Sequence, residues 1–319
     1  MRHNVFPRRA DLFSPQRSLD QEASVPLNGF DDGLNGTALA LILSAAFIHA
    51  GWNLLAKQAG GGAAFVWLFS CFSSVIYAPV VIVVLAVQKP NVGLIEFGFL
   101  FGTAALHTLY YLFLQRGYRA GDLSLVYPLA RSTGPLLATV AAIVLLGERP
   151  SPMALAGGGL ILLGVVVLTW GTGRRSTSAM RVAVSYGLIT GVFIATYTVW
   201  DKYAVHTLKI PPLLVDYSSN IGRVLLLLPF GIRHWNQVQT EWRTNRRAVV
   251  GIGVLGPLSY ILILTAMSFA PVSYVAPARE ISILIGAFIG ARLLGEGQSI
   301  RRLIAAATMV LGFAALAFG

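Results

Sequence analysis

Residues 129–148 read LARSTGPLLATVAAIVLLGE, and residues 277–296 read PAREISILIGAFIGARLLGE. The two stretches are identical at seven of twenty positions, among them Arg131 with Arg279 and a closing Leu-Leu-Gly-Glu. An excess of leucine in apolar segments does not explain a shared arginine or a shared Gly-Glu pair. The chain is therefore interpreted as an internal duplication in which each half carries one copy of this stretch.

The whole chain is too apolar and too poor in charge for a soluble protein. Of its 319 residues, 55% are hydrophobic and 12% are charged, and the mean hydropathy is +0.69. Soluble domains carry about 25% charged residues, which cover their surface. The net charge of +11 is typical of basic residues gathered at the water-side ends of membrane helices. Because no Lys/Arg cluster is interleaved with aromatic residues, we expect no nucleic-acid partner.

Ten apolar windows are each long enough to cross a bilayer as a helix, which takes roughly 20 residues. They lie at residues 36–56, 63–87, 93–115, 123–146, 152–170, 182–200, 211–232, 248–269, 272–294 and 300–318. The sequence therefore predicts an all-α integral membrane protein with ten transmembrane helices.

The duplication divides these helices into two five-helix repeats, at residues 36–171 and 181–318. Because five is an odd number, the second repeat must enter the membrane from the opposite side, and the repeats are inverted. Residues 1–35 are polar and are expected to form a disordered tail. The connection at residues 233–247 carries four arginines and is expected to be a water-side loop.

Several motifs, in their order and duplication, resemble the EamA-type branch of the drug/metabolite transporter superfamily. They are Trp52-Asn53 followed by Lys57 in the first window, and the Leu-Gly-Glu that closes the fourth and ninth windows. The stretch Tyr127-Pro128-Leu129-Ala130-Arg131 is also typical of one bacterial subgroup. The resemblance covers residues 36–318 and implies a ten-helix secondary carrier for metabolites or drugs in a bacterial inner membrane. It does not imply a particular substrate.

Two arginines lie deep within apolar windows, where an ionisable group costs at least a few kcal/mol and usually faces a partner or a wet cavity. Arg131 is eight residues into the fourth window, about 12 Å along a helix. Arg279 is its repeat mate in the ninth. Either both line a substrate cavity, or they form structural ion pairs, for which Glu280 is available. Two arginines against one glutamate leave an excess positive charge, which suits an anionic or carboxylate-bearing substrate.

Polar and aromatic side chains share helical faces in three further windows. They are His49, Trp52 and Asn53 in the first, His107 and Tyr110 in the third, and Tyr197, the repeat mate of Trp52, in the sixth. Such side chains either line a cavity or pack in the core. Histidine also titrates near neutral pH, which makes His49 and His107 candidate proton carriers together with Glu280.

In the seventh window, Asp216, Asn220 and Arg223 follow the i, i+4, i+7 spacing of one helix face. Arg223 is expected to meet either Asp216 or a substrate. Glu148 closes the fourth window, and we expect it to pair with loop arginines at the membrane edge rather than to carry protons.

These features predict a secondary active transporter that moves a small metabolite or drug-like solute across the cytoplasmic membrane by alternating access. Its expected partners are that solute, the lipid bilayer and, as a candidate coupling ion, the proton. No Walker-type nucleotide loop is present, and no cofactor or metal is expected. We expect a monomer or a homodimer in the cell inner membrane. Basic residues at the odd-numbered connections favour both termini outside, whereas the resemblance implies both inside.

Two other functions fit the sequence less well. A multidrug exporter of cations is disfavoured because residues 36–58 contain no acidic side chain, whereas related small exporters use a glutamate in the first helix. The positive excess of buried charge also disfavours it. An intramembrane enzyme is disfavoured because the five histidines are scattered along the chain and no His-Glu-x-x-His run occurs.

Overall fold

The computed structural model describes residues 34–59, 62–120, 123–169, 177–294 and 300–319. The tail predicted for residues 1–35 lies almost wholly outside these ranges. Within them the regular structure is helical. The helices are α1 (Gly36–Ala59), α2 (Ala63–Gln88), α3 (Leu94–Ala120), α4 (Leu123–Leu145), α5 (Pro152–Thr169), α6 (Thr177–His206), α7 (Pro212–Arg233), α8 (Trp235–Met267), α9 (Val272–Ala278), α10 (Ile281–Leu294) and α11 (Ile300–Phe318).

Apolar side chains cover much of the outer surface of these helices. Leu94 and Val75 are 88% and 73% exposed, and many other large aliphatic side chains are exposed with them. In water such a surface would drive aggregation, whereas hydrocarbon tails solvate it. Among the described residues, α1, α2, α3, α7 and α8 each contain a segment long and apolar enough to cross a membrane, and shorter apolar helices lie in α4, α5 and α11. The prediction of an all-α membrane protein is confirmed.

Each of the ten predicted windows coincides with a helix, except that the ninth is broken between α9 and α10. Pro277 has no backbone N–H, so the carbonyl of Ser273 loses its helical partner there. The chain turns instead through tighter bonds: the amide of Glu280 donates to the carbonyl of Pro277 over 3.0 Å, and the amide of Ile283 donates to the carbonyl of Glu280 over 2.9 Å. The break places Arg279 and Glu280 between two helix ends.

The prediction of a loop at residues 233–247 is wrong, because this segment is helical apart from His234 and a kink at Asn245. Trp242 stacks on the Phe72 ring at 4.9 Å. The Asn245 side-chain amide donates to the carbonyl of Ala59 at the end of α1 over 3.3 Å. An amphipathic helical segment held against α1 and α2 therefore precedes the apolar part of α8.

The helices pack in pairs that exchange when the two halves are exchanged. α1 packs on α8 as α6 packs on α3, α2 packs on α8 as α7 packs on α3, and α4 packs on α6 as α10 packs on α1. The pairs α2–α7 and α5–α11 join repeat mates directly. This is the contact pattern that a two-fold relation between the halves requires.

The α5–α11 pair is close because it meets through glycine. A Cβ atom built on Gly157 would lie 2.6 Å from the carbonyl oxygen of Gly312, and one built on Gly312 would lie 2.6 Å from the carbonyl oxygen of Gly157. No larger residue fits either position without moving a backbone. The last helices of the two repeats are thus held at backbone contact.

Candidate functional site

The centre of the bundle holds one carboxylate between two guanidinium groups. Nη2 of Arg131 on α4 lies 2.9 Å from Oε2 of Glu280, and Nε of Arg279 donates to Oε1 of Glu280 over 3.3 Å. The glutamate side chain is fully buried, and each arginine side chain is only 10% exposed. This arginine centre, as we call these three residues, carries a net charge of +1.

The structure therefore realises the ion pairing that the sequence left as one of two interpretations. Pairing does not use all the donors, however. Nη2 of Arg279 is buried and has no hydrogen-bond partner among the described residues. A buried guanidinium N–H without an acceptor costs on the order of 1–3 kcal/mol. A ligand carboxylate or phosphate would remove that cost.

His49 on the first helix lies within electrostatic reach of this centre. His49 lies near enough to Arg131 and Arg279 for both guanidinium charges to act on it, and its ring meets the Trp52 ring edge-on at 4.6 Å. The Trp52 indole N–H donates to the Ser259 hydroxyl over 3.2 Å, which ties α1 to α8. Asn53, one residue further on, is half-buried, and no hydrogen bond or ion pair joins it to another described side chain. Of the residues predicted to share this face, His49 is thus near the arginine centre, whereas Trp52 forms a contact with another helix.

Aromatic rings connect the arginine centre to α3. Tyr197 on α6 is buried within electrostatic reach of both centre arginines. Its ring lies 4.1 Å from that of His107, 5.5 Å from that of Tyr110 and 6.4 Å from that of Tyr260. The structure therefore brings together the predicted residues Tyr197, His107 and Tyr110, and it adds Tyr260 from α8.

A second buried carboxylate, Asp201 on α6, lies beside these rings. It accepts hydrogen bonds from the Thr103 hydroxyl over 2.6 Å and from the Tyr260 hydroxyl over 2.6 Å. Nε2 of His107 is 2.9 Å from its Oδ2 atom. The Asp201 side chain is fully buried. Because its partners come from α3 and α8, three helices meet at this one acidic group.

The polar face predicted on α7 forms a separate group. The side-chain amide of Asn220 donates to Oδ2 of Asp216 over 2.9 Å, and Arg223 donates to the Asn220 side-chain oxygen. The guanidinium also lies over the Tyr111 ring at 4.7 Å, where a cation–π attraction applies. Asn220 therefore lies between Asp216 and Arg223. The sequence predicted that Arg223 would meet either Asp216 or a substrate, and in the structure it bonds to Asn220 instead.

Glu148 and Lys202 brace the connection between α8 and α9. The two oxygens of Glu148 accept the backbone N–H groups of Val272 and Ser273 over 2.7 and 2.8 Å. The buried ammonium of Lys202 donates to the carbonyls of Met267 and Ala270 over 2.7 and 3.0 Å. Glu148 thus caps a helix start. The expectation that it pairs with loop arginines is corrected to this role, and its repeat mate, Glu296, lies outside the described residues.

Sequence reasoning missed Asp201, Tyr260 and Lys202. The predicted sixth window ended at residue 200, whereas α6 runs to His206, so Asp201 and Lys202 fell beyond it. One signal was available, since Asp201 follows Tyr197 by four residues on the same helix face. Tyr260 carried no signal of its own. No group of three His, Cys, Asp or Glu side chains suited to a metal ion occurs among the described residues.

Comparison with known families decides the class of protein. The profile of the EamA-like transporter family matches this chain twice, at residues 36–170 and at residues 181–318. The chain belongs to the EamA-like transporter family. The resemblance seen in the sequence motifs is confirmed, and with it the two-repeat layout. This EamA-like chain is a multi-pass membrane protein of a family that transports small solutes.

A solved structure shares the fold of this EamA-like chain. It is described only as the crystal structure of a protein, and it aligns with a TM-score of 0.70 and 17% sequence identity over 90% of this chain and 99% of that chain. At this identity the likeness concerns the fold alone. A search among curated proteins gave no match.

Proposed function

We propose that this EamA-like chain is a secondary active transporter that carries a small anionic solute across the inner membrane by alternating access. One observation supports a negative charge on the solute. Arg131 and Arg279 share one carboxylate, which leaves the arginine centre itself with one positive charge, and the buried Nη2 of Arg279 lacks an acceptor among the described residues. A carboxylate or phosphate group supplies both the missing charge and the missing acceptor.

The two-fold packing supports alternating access. If the ten helices all cross the membrane, five in each half, the halves run in opposite directions and enclose the arginine centre at their interface. Inverted repeats with a central site are the usual architecture of such carriers. Rocking one half against the other would then expose the same arginines first to one side and then to the other.

The experiment is uptake into vesicles that contain the purified protein, across a panel of radiolabelled anions, neutral solutes and cations of similar size. We expect at least one anion to enter and neutral analogues to be excluded. Arg131→Ala and Arg279→Ala should each abolish that uptake while the protein still inserts. Arg131→Lys should retain part of it, because the charge is kept and the forked geometry is lost.

The matched control is Arg246→Ala, which removes an exposed arginine near the start of the apolar part of α8. It should transport as the unaltered protein does. Normal anion uptake by a well-inserted Arg131→Ala protein would contradict the proposed role of the arginine centre.

A cationic solute is the second candidate, and one observation favours it. Asp201 is a buried acid beside Tyr197, Tyr260 and His107, and aromatic faces next to a carboxylate can hold an organic cation. Asp201 did not enter the sequence-based prediction against a cation exporter, which rested on the first helix and on the positive excess of buried charge. Uptake of the panel's cations with exclusion of its anions would favour this candidate.

A further inference from the structure

The buried charges of the described residues sum to zero when the histidines are neutral. Seven acidic and basic residues are buried, and Arg279, 10% exposed, completes the set. The basic members are Arg131, Lys202, Arg223 and Arg279, and the acidic members are Glu148, Asp201, Asp216 and Glu280. Binding one monoanion in this core leaves a charge of −1, which is costly in a low-dielectric interior. One proton taken up with the anion restores neutrality.

Three of the four acids are poorly suited to take that proton. Glu148 accepts two backbone N–H groups, and Glu280 contacts two guanidiniums; neither kind of donor can become an acceptor. Asp216 accepts the Asn220 amide N–H and feels the charge of Arg223. Protonation of Glu148 would place an O–H group against a backbone donor, and protonation of Glu280 or Asp216 would remove the negative charge that balances a nearby guanidinium.

Asp201 differs because each of its partners can reverse its hydrogen-bonding role. The hydroxyls of Thr103 and Tyr260 donate now and can accept instead, and the imidazole of His107 can either donate or accept. The carboxylate and the imidazole therefore form a pair that can hold one more proton without losing its hydrogen bonds.

The charged and titratable groups around this pair come from every neighbouring helix. They are Tyr110 on α3, Tyr197 and Lys202 on α6, Tyr260 on α8, Asp216 on α7 with its neighbour Arg223, and, beyond Tyr197, Arg131 on α4 with Arg279 and Glu280 at the α9–α10 turn. The Lys202 ammonium is engaged with the carbonyls of Met267 and Ala270. Tyr197 lies between this pair and the arginine centre: its ring is 4.1 Å from that of His107, and it is within electrostatic reach of Arg131 and Arg279.

We propose that Asp201 and His107 form the proton site of this carrier, which takes up one proton with each monoanion bound at the arginine centre. The inference rests on the proposed anion carrier. An O–H bond forms at the Asp201 carboxylate, or an N–H bond at His107, on the side where the anion enters. That bond breaks on the other side, where water receives the proton. Transport is then electroneutral, and an imposed pH gradient drives anion accumulation.

The test uses vesicles that contain the full-length protein and a trapped pH-sensitive dye, with radiolabelled monocarboxylates as probes. In the unaltered protein, entry of a transported monocarboxylate should acidify the lumen, and an outside-acid gradient should concentrate it inside. Asp201→Asn should still exchange labelled for unlabelled anion, because exchange needs no net proton movement. It should neither acidify the lumen nor accumulate anion. Glu96→Gln, which alters a partly exposed carboxylate in the first turn of α3, is the control and should behave as the unaltered protein does.

Several results would overturn the inference. Anion entry without proton entry in the unaltered protein would refute proton coupling and leave the anion carrier standing. Loss of proton entry in Asp216→Asn, with coupling retained in Asp201→Asn, would move the proton site to α7. Transport of cations alone would overturn the proposed function and this inference together.

A spectroscopic measurement keeps the assignment testable if Asp201→Asn does not fold. Infrared difference spectra of the unaltered protein between alkaline and acidic pH should contain the carbonyl band of a protonated buried carboxyl group. The band should be absent from Tyr260→Phe or altered in frequency, since that variant removes a hydroxyl from the carboxylate. A spectrum with neither this carboxyl band nor a band of protonated histidine, or with bands indifferent to Tyr260→Phe, would contradict the assignment.

Discussion

Removal of the Glu280 charge should destabilise the protein more than removal of either arginine charge. The glutamate oxygens lie 2.9 and 3.3 Å from Nη2 of Arg131 and Nε of Arg279. At an effective dielectric constant of about 20, each attraction is on the order of 5 kcal/mol before desolvation is counted. Glu280→Gln leaves two buried cations side by side with no counter-charge, whereas Arg131→Gln leaves one neutral pair.

The expected magnitudes follow from this difference. Breaking a buried ion pair by removing one partner costs about 3–5 kcal/mol, and Glu280→Gln should reach the upper end of that range. Arg131→Gln should cost only about 1–3 kcal/mol, the penalty for imperfectly satisfied buried polar groups. The double variant Arg131→Gln/Glu280→Gln should be more stable than Glu280→Gln alone, because it contains one uncompensated cation instead of two.

The assay is reversible unfolding of the purified protein in mixed micelles with increasing denaturing detergent, applied to the unaltered protein, the single variants and the double variant. Glu96→Gln is the control at a partly exposed carboxylate, and it should change stability by less than about 0.5 kcal/mol because the glutamine oxygen can still accept the Gly93 N–H. Equal destabilisation by Glu280→Gln and Arg131→Gln would refute the reasoning, because it would mean that water screens the centre and that its charges do not interact strongly.

Two further predictions concern the scaffold. Glu148→Gln should lower the free energy of unfolding by about 1.5–3 kcal/mol, because the glutamine NH2 group faces one of the two backbone donors that the carboxylate now accepts; the same detergent titration measures it. Gly157→Leu should lower the thermal unfolding temperature in detergent, because its Cβ would lie 2.6 Å from the Gly312 carbonyl, at a cost of about 1–3 kcal/mol. Gly159→Leu, at a position with nothing within 4 Å, should have little effect, and an equal loss in both variants would contradict the close contact.

Part of the candidate site could be predicted because charge inside an apolar segment is visible in any sequence. Arg131, Arg279 and Glu280 stand out for this reason, and the duplication indicated that the two arginines belong to equivalent helices. Their common partner followed from its being the nearest acid. The helix break beside Arg279 could not be predicted. A proline lies shortly before each arginine, but α4 runs on without interruption, whereas the ninth window breaks into α9 and α10.

The acid on α6 illustrates what a linear pattern omits. Asp201 stands next to Lys202 near the end of an apolar run, where an acid and a base in sequence usually mark the membrane edge. In the structure both are buried and point to different partners: Asp201 meets His107 and Tyr260, and Lys202 meets the end of α8. Adjacent residues on a helix face different neighbours, and the sequence does not say which neighbours those are.

The sequence by itself determined that this chain is a helical membrane protein with a duplicated half, because hydropathy and repetition are properties of contiguous residues. Only the tertiary structure decided which buried polar groups meet. The contacts of Asp201 join residues 94 and 59 positions apart, on three helices. A helix that is apolar on most faces gives no periodic signal for the side that turns inward, so the pairing of its few polar side chains is set by how the helices pack.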